Sequence, residues 1–329
     1  MPDIDDEPGN DCRHASGNLR TLFAATDYVS GDEFEVTRCA SCDAVFTRPL
    51  PQGEEWSRYY PPAYYRTADG KRFPGPVEFL QRQLYAARAR SVERMLDGRR
   101  GRVLDVGCGP GYLLKAFQRR GWETMGTELS GTAAAFAREE LGLNVESREL
   151  AELKLPDSQF DAVVIWHALE HIPQPEALLR EIARVLRPGG VLMVGVPNWG
   201  SPESQLAGSK WFQLDVPRHV NHFTAEKLGR DLEAAGLEIR KRGFLAPEFD
   251  FFSFVQTSLN RAGLKQNLLY NLLRRRAGKV AAENVPWWQT AATIALTPLL
   301  SLVALPIVLL AAFLNEGGSM TFHAVKRGR

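Results

Sequence analysis

Along the middle of the chain, short apolar runs alternate with segments in which apolar residues recur every three to four positions. Val103-Leu-Asp-Val106 is a β-branched, apolar run that gives way to glycines on alternate positions, Gly107, Gly109 and Gly111. Leu113, Leu114, Ala116 and Phe117 then follow at helical spacing. The pattern predicts a strand, a tight turn and a helix start, with side chains removed where a ligand lies against backbone. Trp122 to Glu128 reads as a second strand, and Phe160-Asp-Ala-Val-Val-Ile-Trp166 as a buried parallel strand. Pro175 to Leu186 reads as a helix, Arg187-Pro-Gly-Gly190 as a turn and Val191 to Pro197 as a further strand. Thr224 is placed to cap a helix. Glu226 suits that helix's first turn, while Lys227 at the third position leaves the capping box incomplete.

The flanks read differently. Cys12-Arg-His14 and Cys39-Ala-Ser-Cys42 are separated by a stretch with a strand-like core, Phe34 to Arg38, which resembles a small zinc ribbon with Cys12, His14, Cys39 and Cys42 as ligands. The Cys-x-His half is tighter than usual. The other reading is that Cys39 and Cys42 are partly buried thiols. Tyr59 to Tyr65 is rich in aromatics, and Val77 to Met95 reads as an amphipathic helix. Near the other end, Thr290 to Asn315 carries no charge and contains Pro298 and Pro306.

Composition narrows the class without deciding it. With 329 residues there is room for one full α/β domain and one or two additions. The balance of 40 Lys+Arg against 39 Asp+Glu, with no basic aromatic-studded stripe, argues against nucleic acid as a partner. Four cysteines are too few for a secreted disulfide scaffold, and the acidic start, Met1 to Glu7, lacks the apolar run of a signal peptide. There is no internal repeat. Cys108 lies within the glycine turn, where plain packing is the expected role.

The glycine spacing, G-x-G-x-G, differs from the G-x-G-x-x-G that cradles a dinucleotide pyrophosphate, so a phosphate-free nucleoside fits better. The segment from Val103 to Tyr112 resembles motif I of the class I S-adenosylmethionine-dependent methyltransferases. The order that follows, an acid at Glu128, then FDAVV, the His167-Ala-Leu-Glu-His-Ile-Pro173 loop and LRPGGVL, is similar to that family's core read in sequence. The resemblance implies an α/β fold, a Rossmann-like, doubly wound, mostly parallel seven-stranded sheet with an antiparallel last strand near Gly318 to Lys326. It covers Arg99 to Gly243 closely. It also implies a cofactor, S-adenosyl-L-methionine, and its contacts. Asp105 orders the glycine loop and the methionine end, Glu128 takes the ribose diol, and Gly107, Gly109 and Gly111 allow close approach. Leu129 flanks the adenine, Glu149 or Leu150 lies near it, Trp166 contacts the methionyl portion, and Tyr112 and His167 complete the set. The aromatic segment and the helix after it are expected to cover the cofactor, or else to be a packed linker.

Methyl transfer from a sulfonium is an in-line displacement, so the protein contributes alignment and, where the acceptor must lose a proton, a base. His167, His171, His219 and His222 fall in two short segments after core strands. A histidine there titrates near neutrality and can accept a hydroxyl proton. His219 is the preferred base, then His222, with His171 a third candidate; the alternative is that His171 and His219 only brace loops. His167, Glu170 and His171 could also hold a divalent ion for a catechol-like acceptor.

By length and hydropathy the Thr290–Asn315 segment would cross a membrane once. Both flanks are basic, however, with Arg274, Arg275, Arg276 and Lys279 before and Lys326, Arg327 and Arg329 after. A single crossing would also strand the last strand on the far side. The expectation is a kinked, monotopic hairpin bent at the prolines and dipping into one leaflet, with Trp287 and Trp288 at headgroup level and an interfacial amphipathic helix over Phe251 to Arg276. A buried hairpin or dimer interface is the alternative. The expected organisation is a zinc-ribbon-like module (1–50), a lid segment (51–98), a core (99–248), a helical membrane-associated insert (249–316) and the last core strand (317–329).

The expected function is methylation of a hydroxyl on a glycan, lipid-linked sugar or isoprenoid-type acceptor at the cytoplasmic face of the membrane, with membrane lipids as partners. Carbon methylation of a nucleotide-sugar and a catalytically silent scaffold of the same fold are the alternatives.

Overall fold

The computed structural model describes residues 18–60, 75–274 and 285–328. Cys12, His14, Arg275, Arg276 and Lys279 lie outside the described residues.

Two sheets organise the molecule. The larger is built from β4 (Arg102–Val106), β5 (Glu123–Thr127), β6 (Val145–Glu146), β7 (Phe160–Trp166), β8 (Leu186–Pro197), β10 (Leu237–Gly243) and β11 (Ser319–Lys326), in the order β10-β11-β8-β7-β4-β5-β6. β4 to β8 are parallel, while β11 runs antiparallel between β8 and β10. Its central strands are almost wholly buried, as apolar runs without alternation demand. Helices α3 (Tyr112–Gln118), α4 (Gly131–Glu139), α5 (Pro175–Val185) and α7 (Ala225–Ala234) connect them. Two apolar layers result, one around Leu104, Ile165, Leu179 and Phe322, the other around Val103, Leu114, Phe117 and Ala162. Thr224 caps α7 by accepting from the Lys227 N–H. The Lys227 ammonium reaches Glu176 and Asp231.

The smaller sheet joins β1 (Leu19–Thr26), β2 (Glu33–Cys39) and β3 (Val45–Arg48) to β9 (Asn221–His222). The N-terminal strands are therefore completed by a strand from the far half of the chain. A short helix α1 (Trp56–Tyr59) follows, and α2 (Gly75–Met95) then packs on α3. The described residues do not show the zinc ribbon, since Cys12 and His14 lie outside them. Cys39 is a free, fully buried thiol and Cys42 is disulfide-bonded, an arrangement that does not offer a pair of thiolates from this half. A sulfur shared with another sulfur donates no thiolate, and Cys39 is placed instead as an apolar core residue.

The insert between β10 and β11 also differs from expectation. After α8 (Pro247–Arg261) and α9 (Leu268–Arg274), residues Trp287–Phe313 form one continuous helix, α10, with Pro298 and Pro306 inside it. Each proline deletes one ladder bond, and no glycine, asparagine or aspartate lies between them to reverse the chain. The Thr297 hydroxyl donates to the Thr293 carbonyl beside the first break. The hairpin is made by whole helices instead. α10 returns along α8, burying Thr293, Ala304 and Val308, and the Lys265 N–H donates to Gln289, which ties the end of α8 to the start of α10. The rest of α10 is exposed and apolar, with Leu302 at 77% and Phe313 at 82%.

Beneath α8, α6 (Pro202–Ala207) and β11 enclose a polar seam. Glu203 accepts from Ser253 and Thr257, and Asp250 accepts from the Ala246 N–H. Burial pushes both carboxyls up to about 7. A carboxyl raised in the fold contributes stability below its unfolded value, and that contribution is lost as pH rises through the folded one. Glu203→Gln should flatten the decline in stability between pH 5 and pH 8 by about 3 kcal/mol, read from urea unfolding at the two values. An unchanged slope would contradict the buried, neutral carboxyl.

Candidate active site

β4 delivers Asp105 to the carboxyl end of the sheet, 2% exposed, where burial and then the neighbouring Glu128 push its carboxyl up to about 8. The glycine turn follows, with φ of +69° at Gly107 and +53° at Gly109. A Cβ on Gly107 would collide with Ala168 at 2.6 Å, whereas one on Gly109 would meet nothing within 4 Å. The first glycine lets the loop after β7 pack, and the second leaves open room over the backbone, which fits a nucleoside lying there.

Glu128, at the end of β5, accepts from the Gly109 N–H at 2.8 Å and the Ser130 N–H at 2.7 Å. Burial raises its pKa against the lowering effect of those two bonds and of His171. Leu129 beside it is 60% exposed. Tyr112 lies between Tyr85 of α2, stacked at 6.4 Å, and Phe136. Glu149 is exposed, while Leu150 belongs to the core. Cys108 is buried, and burial with the Asp105 and Glu128 charges pushes its thiol far up, so it packs as a neutral group.

Trp166 leaves β7 flat against Gly195, whose Cβ would lie 2.4 Å from its ring. The Arg88 guanidinium of α2 sits 3.9 Å over the same ring and pairs with Glu248 of α8. His167, at φ +49°, stacks on Phe249 at 3.9 Å and turns Nδ1 to Glu170 at 3.4 Å. Phe249, Arg88 and Glu248 went unnoticed in the sequence because they come from helices that carry no motif.

The two histidine segments meet. Glu170 is 1% exposed, and its Oε1 lies 3.4 Å from His167 Nδ1. Burial works to raise its pKa, but the His167 bond and the three imidazoles hold it down at about 2. His171 donates Nδ1–H to the Arg218 carbonyl at 2.7 Å, and His219 donates Nδ1–H to the Gln213 carbonyl at 2.7 Å. Only an N–H can face a carbonyl oxygen, so Nε2 is the basic nitrogen of both rings. The rings meet edge to face at 4.7 Å, and His219 Nε2 lies 3.9 Å from Glu170. Burial, aided by His171, depresses His219 to about 4. His222 stands apart from this cluster. Its Nε2 lies 3.0 Å from the Thr47 hydroxyl, which itself donates to the His219 carbonyl, so the ring is fixed at the β3–β9 junction. With the Thr47 hydroxyl spent as a donor, His222 Nε2–H donates to it and the imidazole lone pair is on Nδ1.

Arg218 holds the second segment in place. It is fully buried and bound by Asp27 and Asp215 at 2.7 Å each. A charged residue inside Val-Pro-Arg-His was the available sign of such a role.

Residues 79–242 match the family described as a methyltransferase domain. The chain is 34% identical over 154 residues to the ubiquinone biosynthesis O-methyltransferase of Aeromonas salmonicida, spanning 42% of this chain and 63% of that protein. It is 31% identical over 180 residues to the protein of the same name from Pseudomonas fluorescens, spanning 47% and 77%. A solved SAM dependent methyltransferase from Archaeoglobus fulgidus is similar over 74% of this chain and 94% of that one, at 22% identity and a TM-score of 0.47. The chain belongs to the S-adenosylmethionine-dependent methyltransferases.

Proposed function

We propose that this protein methylates a hydroxyl oxygen of a glycan, lipid-linked sugar or isoprenoid-type acceptor at the cytoplasmic face of a membrane. The oxygen as target is carried over from the relatives named O-methyltransferases. The observation that carries the reading is a neutral imidazole, His219, whose Nε2 lies beside a buried acid in a loop packed against the glycine turn. When bound, S-adenosylmethionine supplies an electrophilic methyl group on a sulfonium. Glu128 has lone pairs for the ribose diol, Asp105 and the glycine loop position the methionine end, and Leu129 and Trp166 flank the two ends. As the acceptor oxygen attacks, its proton passes to His219 Nε2, and Glu170 stabilises the imidazolium so formed.

The membrane part of the reading rests on α10. It is the helix among the described residues long and apolar enough to cross a bilayer, and only 11% of its most apolar window is buried. Packed along α8, it presents that surface sideways, which suits lying in one leaflet rather than crossing. Trp287 and Trp288 lie at the same end as exposed Arg261 and Lys265, where headgroups would be met.

His219→Ala should lower turnover on an envelope-lipid extract by about a hundredfold while leaving S-adenosylhomocysteine affinity unchanged. The check is transfer of an isotopically labelled methyl followed by mass spectrometry, with calorimetry for the nucleoside. Equal loss of both quantities would remove His219 from the proton transfer.

A further inference from the structure

We infer that the helical insert between β10 and β11 supplies the frame that orients His219, with Gln213 and Thr257 as its positioning residues. The inference rests on the reading above, in which His219 Nε2 takes the acceptor proton. That nitrogen carries the lone pair only while the other one holds the hydrogen, and Nδ1–H is kept by the Gln213 carbonyl at 2.7 Å. The direction of one backbone carbonyl therefore selects the tautomer. Gln213 sits in a single 3-10 turn, Phe212–Leu214, too short to fix a carbonyl by its own ladder.

Both roots of the insert grip that turn. From α8, the Thr257 hydroxyl accepts the Phe212 N–H at 3.0 Å and donates its own hydrogen to Glu203 at 2.8 Å. At the start of β11, the Gly318 carbonyl accepts from the Gln213 amide at 3.3 Å, and the Ser319 hydroxyl donates to the amide oxygen at 3.4 Å. Gln213 is 5% exposed, so water does not stand in for these bonds when they are lost. Gly318 lets the strand come this close, since a Cβ there would stand 3.2 Å from Glu203 and 3.3 Å from Asp250. α8 carries two faces at helical spacing. Asp250, Ser253 and Thr257 turn to the polar seam, whereas Phe251, Val255 and Leu259 pack in the layer that holds Ala304 of α10. The seat of the apolar helix is thus one helix away from the turn that orients the imidazole. On the other side of His219, Arg218 is bound by Asp27 and Asp215 without help from the insert, so loss of the insert's bonds frees the ring without unfolding its loop.

Thr257→Val keeps the volume and removes both hydroxyl bonds, Thr257→Ser keeps them, and Gln213→Met removes the amide bonds at similar size. The readout is nitrogen NMR of the full chain with isotopically labelled histidine, the resonances being assigned with His219→Gln. At neutral pH the wild type should show a hydrogen on His219 Nδ1 and a bare Nε2. In Thr257→Val and Gln213→Met a hydrogen should appear on Nε2 in a large share of the molecules. Turnover on the envelope-lipid extract should fall about tenfold, with the KM for S-adenosylmethionine and the affinity for S-adenosylhomocysteine unchanged. Thr257→Ser should restore both tautomer and turnover. Nucleoside binding reports that each variant is folded, and where Gln213→Met fails it the Thr257 pair carries the test. A wild-type tautomer kept in the folded variants, or Thr257→Ser as impaired as Thr257→Val, would overturn the inference. A shifted tautomer with full turnover would leave the positioning standing and remove His219 as the base.

Discussion

Replacing Glu128 with alanine is expected to weaken S-adenosylhomocysteine binding by on the order of a thousandfold, with the fold intact. Its carboxylate holds the Gly109 and Ser130 N–H groups, so it shapes the nucleoside cradle even before a ligand arrives. A ribose diol would add two charge-assisted hydrogen bonds at about 1.5–3 kcal/mol each, which together correspond to two to four orders of magnitude in affinity. Loss of the loop bonds adds to this because Gly109 must then be ordered at the ligand's expense. The side chain lies at a strand end rather than in the apolar layers, so thermal unfolding should move little. Glu128→Gln separates the two contributions. It keeps an acceptor for the loop and lowers the charge, so an intermediate affinity is expected. Calorimetry with the demethylated nucleoside reads both variants, and affinity within threefold of wild type in Glu128→Ala would show that the ribose is held elsewhere.

Substituting Leu299, Leu302 and Leu310 together with glutamate is expected to abolish sedimentation of the protein with vesicles of mixed neutral and anionic phospholipid. All three are more than half exposed, on the surface of α10 that α8 leaves uncovered. Transfer of three leucine side chains from water is worth roughly 6 kcal/mol, about four orders of magnitude in partitioning, before any cost of placing charge in the leaflet is counted. Because those side chains are mostly exposed, stability in detergent-free buffer should hold or improve as aggregation falls. A wild type that ignores vesicles and forms a dimer that the triple variant dissolves would identify the surface as a contact between copies.

Local sequence carried the larger sheet well, because its cues are short-range. Glycine turns, buried β-branched runs and the Thr224 cap each act within a few residues, and the strands lie where those cues place them, except that β8 already begins at Leu186 and takes in the expected Arg187–Gly190 turn. The cradle of Asp105, Gly109 and Glu128 was legible for the same reason. What the sequence concealed depends on distant partners. Nothing local states that Cys42 is paired to sulfur while Cys39 is buried among core residues, since C-x-x-C suits either arrangement. The prolines at 298 and 306 suggested reversal because the cost of one missing bond was weighed without the length of intact ladder on either side. His222 ranked next after His219 in the sequence, and its Thr47 partner, 175 residues away, could not be seen there. Glu170 entered the sequence reading only as one of several possible ion ligands. Its weight comes from burial beside three imidazoles, which only the packed chain reveals.

The pairing of Val45 and Phe46 with His222 and Asn221 has a kinetic corollary. The Thr47 hydroxyl and the His219 carbonyl are 172 positions apart, so loop closure between them is entropically late and slow. Nucleation within the parallel strands, whose contacts are nearer in sequence, can precede it.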